Sequence, residues 1–201
     1  ITNTVNLIDG LDGLAAGVST IASLSLAAVA YNVGQYNVSI LLAILAGASL
    51  GFLPYNFNPA QIFMGDAGSL VIGYLLATMS VEGLIKGATT IAVAIPVLAL
   101  GVPVFDTAFA IVRRLVNKRP IMEADKGHLH HRLLEHGLSQ KQTVLVLYII
   151  STLLGGSSII ISDVAKSSAY LIIGVISILI LYGAYRIGIT KKVAEKRGAK
   201  I

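Results

Sequence analysis

The stretch LAAGVSTIASLSLAAVAYN, Leu14–Asn32, contains no charged residue and is long enough to cross a bilayer as one helix. Directly before it stands NLIDGLDG, Asn6–Gly13, with two aspartates and two glycines at the mouth of the apolar segment. The first segment predicts a membrane-spanning helix. The second raises the question of why two carboxylates precede it.

The composition of the whole chain also indicates a membrane protein. Of the 201 residues, 55% are hydrophobic and 12% are charged, about half the charged share of a typical soluble domain. Cysteine is absent, which excludes disulfides and thiol chemistry from this sequence. We expect an all-α, polytopic integral membrane helical bundle, one membrane domain over residues 1–201 with about six transmembrane helices. The predicted spans are Leu14–Asn32, Val38–Tyr55, Ala67–Gly83, Ala88–Val116, Val144–Ser162 and Ala169–Ile189.

The fourth predicted span is too long for one straight crossing. It contains Pro96 and Pro103, and a proline inside a helix removes a hydrogen bond and kinks the axis. No polar turn divides the segment. We therefore expect one kinked crossing that continues into water as a helix, rather than two crossings in series.

Six crossings assign each connecting segment to one side of the membrane. Residues 1–13, 55–66 and 117–141 and the tail 190–201 fall on one side, and thirteen of the fifteen Lys and Arg residues lie in or next to them. Only Lys86 and Lys166 fall on the other side. Because loops rich in Lys and Arg stay in the cytoplasm, we predict that the three loops and the tail are cytoplasmic.

The polar segments of the chain share this predicted cytoplasmic side. They are NLIDGLDG, YNFNPAQIFMGDAGS and RPIMEADKGHLHHRLLEHG, and together they carry Asp, Asn and His side chains. Random placement would distribute such segments over both faces. We therefore predict one composite site built from three loops.

Asp9 and Asp12 allow two interpretations. Being three residues apart, they share a face if the helix has already begun, and two carboxylates that close repel unless a cation or donor lies between them. A turn followed by a helix cap explains one aspartate well and two poorly. Asn3 and Asn6 add neutral oxygen atoms of a kind that Mg²⁺ accepts.

Asp66, Phe63 and Asn56 are each open to a structural interpretation. Asp66 begins the third span, where a helix cap is favoured for this residue alone. Phe63 is explained either by interfacial anchoring or by stacking of a base, since aromatic faces accept nucleobases. Asn56, between Tyr55 and Phe57, is an unusual choice for a simple turn.

The segment HLHHR is the densest cluster of polar donors. His128, His130, His131 and Arg132 fall within five residues. A zinc site would need carboxylate or thiolate partners at metal spacing, which this segment meets only weakly. Phosphate binding fits better, since imidazole and guanidinium donors match phosphate oxygens. His136, on the helix expected to follow, is predicted to be a surface residue.

Asp106 lies within the fourth predicted span. A charge at the centre of a spanning helix costs about 2.5–3.5 kcal/mol, so we expect Asp106 near the cytoplasmic end or facing a polar cavity. A structural hydrogen bond to a neighbouring helix is the preferred interpretation.

Four motifs in this order support a family resemblance. NxxNxxDGxDGLAAG, NFxPAxxFMGDAGSL, PVFDT and ADKGHLHHRLL resemble those of the polyprenyl-phosphate N-acetylhexosamine-1-phosphate transferases, glycosyltransferase family 4, over essentially the whole chain. That superfamily contains the translocase that makes lipid I of peptidoglycan and the enzymes that start teichoic acid and O-antigen synthesis. The resemblance implies that a polyprenyl phosphate attacks the β-phosphate of a UDP-sugar and releases UMP, at the cytoplasmic face of a bacterial inner or plasma membrane.

The resemblance also implies roles for individual residues. It implies Mg²⁺, with Mn²⁺ as an alternative, held by Asn6 and Asp66. The catalytic residues that it implies are Asp9, Asp12, His130 and His131. The substrate-binding residues that it implies are Asp12 and Asn56 on the uridine side, Phe63 as the stacking aromatic, and His128 and Arg132 in the histidine loop.

One family motif is missing from this sequence. Family members carry an earlier cytoplasmic DDxxD-type motif that prepares the lipid phosphate, and they have about ten spans. This chain lacks that motif and has six predicted spans. We expect the remaining spans to precede Ile1, so that the chain is the C-terminal portion of a larger membrane protein and is inactive alone.

The histidine loop favours one sugar. Lipid I enzymes typically have HHHFE there, whereas this chain has HLHHRLL, the form of the GlcNAc-1-phosphate branch. We therefore expect UDP-GlcNAc and undecaprenyl phosphate as substrates. The alternative is phospho-MurNAc-pentapeptide transfer, and the alternative outside enzymes is a multi-span transporter. The expected partners are the two substrates and the membrane, with no nucleic acid, and a homodimer is left open.

Overall fold

The computed structural model describes residues 1–84, 90–116, 118, 120 and 127–198, and it describes no side chain at Leu84 or at 184–198. Within these residues the regular structure is entirely helical. The helices are α1 Thr2–Ile8, α2 Leu14–Asn32, α3 Tyr36–Asn56, α4 Gly65–Leu84, α5 Thr90–Ala99, α6 Gly101–Val116, α7 Leu129–Glu135, α8 Gln140–Asp163 and α9 Lys166–Gly198. The predicted all-α membrane architecture is confirmed.

Most of the predicted spans coincide with helices that suit a membrane. By length and composition, α2, α3, α8 and the part Lys166–Gly183 of α9 are able to cross a membrane, and α5 with α6 makes a fifth if the pair is one span. Helix α4 covers the third predicted span but is not among the helices that meet this test in the described residues. Helices are thus found at all six predicted spans, and four or five of them are candidates for crossing.

The fourth predicted span differs most from expectation. Its described part is two helices, α5 and α6, which are bent by 97° at the single residue between them, Leu100. Pro96 lies inside α5, and Pro103 lies in the first turn of α6, where the missing N–H of a proline costs little. The prediction of kinks at the two prolines was therefore wrong in detail, because the axis breaks once, between them. Ala88 and Thr89 lie outside the described residues.

Helix α2 is the centre of the first of two compact units, residues 1–163. Five of its six alanines and its one glycine are buried, and small residues let neighbouring helices approach closely in a membrane. A Cβ on Gly17 would collide with the ring of Tyr148 in α8, and a Cβ on Gly155 of α8 would collide with Ser25. These contacts hold α8 directly against α2.

Two apolar clusters surround α2. One joins α2 to α3, α4 and α5 and includes Leu26, Leu42 and Leu76. The other joins α1, α2, α6 and α8 and includes Ile8 and Leu147. The second cluster fixes the ends of α1 and α2 that carry the opening motif.

Helix α9 makes up the described part of the second unit, residues 164–201. The helix continues to Gly198, so residues 190–198 of the predicted tail are helical. Exposed leucine and isoleucine side chains, such as Leu171, Ile178 and Leu181, run along it. An exposed apolar helix of this length suits a lipid environment.

Candidate functional site

The two aspartates of the opening motif lie in the turn between α1 and α2. Asp9 directly follows α1, and Gly13, with φ 79°, is the N-cap residue of α2. Glycine adopts this conformation without strain, and a Cβ at Gly13 would lie 2.9 Å from the ring of Phe57. Asp9 and Asp12 therefore lie in a turn, as one of the two interpretations has it, but the N-cap of α2 is Gly13 and neither aspartate.

The carboxylate of Asp12 holds the segment between α3 and α4 against this turn. Asp12 Oδ2 accepts hydrogen bonds from Asn58 Nδ2 at 2.9 Å and from the Ala60 N–H at 3.1 Å. Asn58 Nδ2 also donates to Gln140 Oε1 at the start of α8, at 2.9 Å. These hydrogen bonds fix the side chain of Asp12 in place at the turn.

The peptide groups around Gly13 are held from two sides. Its N–H donates to Asn56 Oδ1 at 3.1 Å, and its carbonyl accepts from the Tyr148 hydroxyl at 2.6 Å. Asn56 is 2% exposed, and its Nδ2 donates to the Ile62 carbonyl at 2.9 Å. Asn56 therefore joins the turn to the following loop, and the prediction that it also meets substrate stays a prediction.

No pattern in the sequence singles out Asn58 or Tyr148. Asn58 lies in the short segment between α3 and α4, and its partners are 46 and 82 residues away in the chain. Tyr148 did carry a general signal, since a phenol in an apolar helix usually has a hydrogen-bond partner. That rule does not identify the partner.

Asp66 and Asn6 lie together where α1 packs against the start of α4. Asn6 Nδ2 donates to Asp66 Oδ1 at 3.0 Å and to Ser69 Oγ at 2.9 Å. Burial, and next the negative charge of Asp66, raise the pKa of Asp9 above its usual value of 3.8. Among the described residues, no group donates a hydrogen bond to the Asp9 side chain, so the charges of Asp9 and Asp66 face each other without a compensating donor on Asp9.

These residues surround one cavity of about 260 Å³. Its lining includes Asp9, Asp12, Asn56, Phe63 and Asp66. Phe63 is 75% exposed, so its ring is open to a flat ligand. The predicted carboxylates, amide and aromatic side chain from two separate loops therefore meet in one place.

The histidine segment reaches the same turn through helix α7. His130 is 3% exposed, and its ring covers Gly10, where a Cβ would lie 3.0 Å from Nε2. The ring of His131 lies beside it, with centroids 4.3 Å apart. Arg132 Nε donates to the Gly127 carbonyl at 3.0 Å. His130 thus joins the third predicted loop to the site, whereas Lys126 and the rest of 121–126 lie outside the described residues.

His128 and Asp106 form a buried pair behind His130. His128 Nδ1 lies 2.8 Å from Asp106 Oδ2, and Asp106 Oδ1 accepts a hydrogen bond from the Leu129 N–H at 2.7 Å. The preferred interpretation of Asp106 as a structural hydrogen-bonding residue is confirmed. His136, at the end of α7, is exposed as predicted.

The electrostatic setting of His130 makes it a neutral imidazole at pH 7. Burial, followed by the neighbouring His131, lowers the pKa of His130 to about 4. A phosphate placed against the ring would favour its charged form and raise that pKa. His130 is therefore suited to donate a hydrogen bond or take up a proton when an anion arrives.

The described part of the chain contains no group of three or more His, Asp, Glu or Cys side chains arranged to hold a metal. A zinc site in the histidine segment, already a weak alternative, therefore gains no support there. Asn6 and Asp66 offer two oxygen-bearing side chains side by side. Mg²⁺ is commonly held by one or two carboxylates together with water and substrate phosphates, so this pair fits a magnesium ion that is completed by substrate.

Comparison with known proteins gives one family. Residues 1–84 match the model of the family described as glycosyl transferase family 4. The chain is 45% identical over 98% of its length to a probable undecaprenyl-phosphate N-acetylglucosaminyl 1-phosphate transferase of Bacillus subtilis, of which it covers 54%. It is 39% identical over 74% of its length to a decaprenyl-phosphate N-acetylglucosaminephosphotransferase of Mycobacterium tuberculosis, of which it covers 42%.

A relative with a different substrate name is also similar. A phospho-N-acetylmuramoyl-pentapeptide-transferase of Rubrobacter xylanophilus is 38% identical over 75% of this chain, which covers 44% of that protein. The chain spans about half the length of the curated relatives it matches. The match to the family model covers the turn, Asn56, Phe63 and Asp66, and the longer alignment with the Bacillus subtilis relative extends over nearly all 201 residues. On sequence and site together, the chain belongs to glycosyl transferase family 4.

Proposed function

We propose that the full-length protein transfers GlcNAc-1-phosphate from UDP-GlcNAc to undecaprenyl phosphate and releases UMP, as the first step of a cell-envelope glycopolymer. The carrying observation is the cavity in which Asp9, Asp12 and Asp66 meet an exposed aromatic ring, with His130 packed on the same turn. The names of the N-acetylglucosamine relatives, at up to 45% identity, support this sugar over the MurNAc-pentapeptide alternative at 38%.

The reaction is a displacement at phosphorus. An oxygen of the polyprenyl phosphate forms a bond to the β-phosphorus of UDP-GlcNAc, and the bond from that phosphorus to the oxygen bridging to UMP breaks. The products are UMP and a polyprenyl-diphospho-GlcNAc that remains in the bilayer. A site at the ends of membrane helices suits this chemistry because one substrate is a lipid and the other is dissolved in water.

Each part of the cavity has a role in this proposal. The ring of Phe63 stacks on the uracil base, and Asp12 and Asn56 meet the uridine. His130, His131 and Arg132 contribute to binding the phosphates, buried His128 supports His130 from behind, and Asp9 acts at the reacting phosphates as a base or charge-stabilising group. Positioned donors are worth more in such an enclosed site than in water.

A magnesium ion at Asn6 and Asp66, with manganese as the alternative, completes the proposal. When bound, the ion offsets phosphate charge. The side chain of Asn6 is already oriented for this role. Asn6 Nδ2 donates to Asp66 Oδ1, which leaves the side-chain oxygen Oδ1 of Asn6 as the atom suited to the ion. Asp9 and Asp66 line the same cavity, and a cation between two carboxylates offsets the repulsion between them.

The test uses the full-length protein in detergent with undecaprenyl phosphate and Mg²⁺. Release of UMP from UDP-GlcNAc, and its absence with UDP-MurNAc-pentapeptide, is the expected result. The reverse preference would overturn the choice of sugar. Chelation should stop the reaction, and addition of Mg²⁺ or Mn²⁺ after chelation tells which ion restores it. If Asp66→Asn leaves the metal dependence unchanged, the proposed ion site is wrong.

We also propose that the site faces the cytoplasm. In support, thirteen of the fifteen Lys and Arg residues fall on the side of the membrane predicted for the site, and two fall on the other side. The described chain has no cysteine, so single cysteines are clean reporters. In a full-length protein without other cysteines, exposed Gln61→Cys and His136→Cys should react with an impermeant thiol reagent only from the cytoplasmic side. Exposed Asn37→Cys, in the first turn of α3, should react only from the other side. Labelling of Gln61→Cys and His136→Cys from opposite sides would exclude a single composite site and favour a transporter.

A further inference from the structure

Asp106 connects helix α6 to the first residues of α7. It is 8% exposed, and both of its carboxylate oxygens have partners. Oδ2 lies 2.8 Å from His128 Nδ1, and Oδ1 accepts from the Leu129 N–H at 2.7 Å. Because a carboxylate only accepts, the pair places the proton of His128 on Nδ1. One side chain therefore fixes both the side chain before α7 and the first backbone N–H of α7.

These two bonds determine where His130 lies. His130 follows Leu129 directly, and its ring is parallel to that of His128, with an interplanar angle of 6° and centroids 5.8 Å apart. The Nε2 edge of the His130 ring packs on Gly10, which lies between Asp9 and Asp12. Apolar contacts of Leu129 and Leu133 with the cluster around Ile8 set the depth of α7. Apolar contacts are not directional, so they do not fix the rotation of a two-turn helix.

We propose that Asp106 is a positioning residue, which sets the rotation of α7 and thereby seats the His130 imidazole on the Asp9–Asp12 turn. Its catalytic consequence rests on the proposed function, whereas the seating of His130 does not. Displacement of a reacting group by about 1 Å can cost on the order of 10²-fold in rate. The loss of Asp106 should therefore lower kcat strongly and raise the KM for UDP-GlcNAc to a smaller degree, since the phosphate contacts of α7 are disturbed while the predicted uridine contacts belong to other loops.

The first test measures the seating of His130 without using activity. Diethyl pyrocarbonate modifies accessible imidazoles, and mass spectrometry reports the modification of each histidine. In the full-length wild type, buried His130 should react slowly and exposed His136 quickly. Asp106→Ala should raise the rate at His130 about tenfold or more toward that of His136, because exposure of the ring follows loss of its anchor.

Two further variants separate positioning from loss of the fold. Asp106→Asn keeps an acceptor for the Leu129 N–H, and its amide N–H donates to His128 Nδ1 once that ring carries its proton on Nε2, so it should keep His130 protected. Ser39→Ala removes a hydrogen bond between α2 and α3, from Ser39 Oγ to the Ala27 carbonyl, and should leave His130 protected as well. If Asp106→Ala does not fold, His128→Ala keeps the Leu129 bond and should expose His130 to a smaller degree. Protection of His130 that is unchanged in Asp106→Ala, or in His128→Ala in its place, overturns the proposal.

The second test is kinetic and uses a double-mutant cycle. Asp106→Ala should lower kcat about 10²-fold, Asp106→Asn should restore most of it, and Asp106→Ala should add little further loss to His130→Ala. Additive losses, or an Asp106→Asn that is folded and as impaired as Asp106→Ala, would contradict positioning through His130. A wild type that releases no UMP from UDP-GlcNAc would overturn the proposed function, and the modification test would still decide the seating of His130.

Discussion

The turn between α1 and α2 and helix α7 meet at Gly10, but they are held in different ways. The turn donates a hydrogen bond to Asn56 and accepts hydrogen bonds from the Asn58–Ala60 segment and from Tyr148. At the start of α7, the hydrogen bonds of His128 and of the Leu129 N–H to α6 both end on one carboxylate, that of Asp106.

This difference separates two kinds of site wall. The turn is preorganised by several independent contacts, so the loss of one should weaken it only in part. The N-terminal end of α7 is held to α6 by two hydrogen bonds that share one carboxylate, so a single substitution removes both of them. Preorganisation of groups that face developing charge is a main source of catalytic power. We therefore expect the turn that carries Asp9 and Asp12 to stay fixed, and the histidines of α7 to be positioned against it.

The largest expected effect is on the chemistry of the turn itself. Asp9→Asn keeps the size of the side chain and removes its charge, and in the described residues that side chain has no hydrogen-bond donor to lose. We expect kcat for UMP release to fall about 10²–10⁴-fold, as for loss of a positioned acid–base group, with little change in melting temperature. Asp163→Asn, at the exposed end of α8, is the matched control. Near-normal turnover by Asp9→Asn would mean that the charge of Asp9 has no part in catalysis.

The next effect is on the support of the turn. In Gly17→Ala, the new Cβ would collide with the Tyr148 ring, which must move and give up its bond to the Gly13 carbonyl. Overpacking of this kind costs about 1–3 kcal/mol, and we expect a lower melting temperature by circular dichroism together with at least tenfold slower UMP release.

Gly47→Ala in α3 is the control for Gly17→Ala. No atom lies within 4 Å of a Cβ at Gly47, so alanine should be tolerated, with a small gain from helix propensity. Equal melting temperatures for the two variants would show that Tyr148 is not tightly seated on α2.

A smaller effect should follow from breaking one contact of the turn among several. Asn58→Ala removes the bridge from Asp12 to Gln140, while the Ala60 N–H still donates to Asp12. The loss of a partly buried hydrogen bond costs about 0.5–1.5 kcal/mol, and UMP release should fall only a few-fold. Exposed Asn37→Ala is the matched control. A loss as large as that of Asp9→Asn would contradict the redundancy of the turn.

How far the sequence predicts this structure depends on the range of the interactions. Apolar runs and their ends predict the helices from local composition, and span parity brings NLIDGLDG and the Phe63–Asp66 segment to one side. The break at Leu100 was not predicted, because both prolines are accommodated within the helices and the bend falls between them. The cap at Gly13 was missed because a left-handed residue, rather than an aspartate, begins α2.

The remaining gaps in the prediction of the site are contacts between residues far apart in the chain. Tyr148 meets Gly13 across 135 residues, and nothing in the local pattern of α8 indicates that partner. Asp106 is a second residue whose partners the sequence does not identify. Its burial cost predicts a hydrogen bond, yet only the folded chain places that bond at His128 and Leu129.

The smallest expected effect concerns pH and probes helix α7. The pKa of His130 is lowered from 6.5 to about 4 in the fold, so between these values the unfolded chain binds a proton that the folded chain does not. Stability from this group is therefore present above pH 6.5 and is lost as the pH falls toward 4. His130→Gln removes this contribution, so its melting temperature should fall less than that of wild type between pH 6.5 and 4.5. His136→Gln, at an exposed position, should follow wild type. Parallel curves for wild type and His130→Gln would mean that His130 is solvated, and α7 would then not rest on the turn as described.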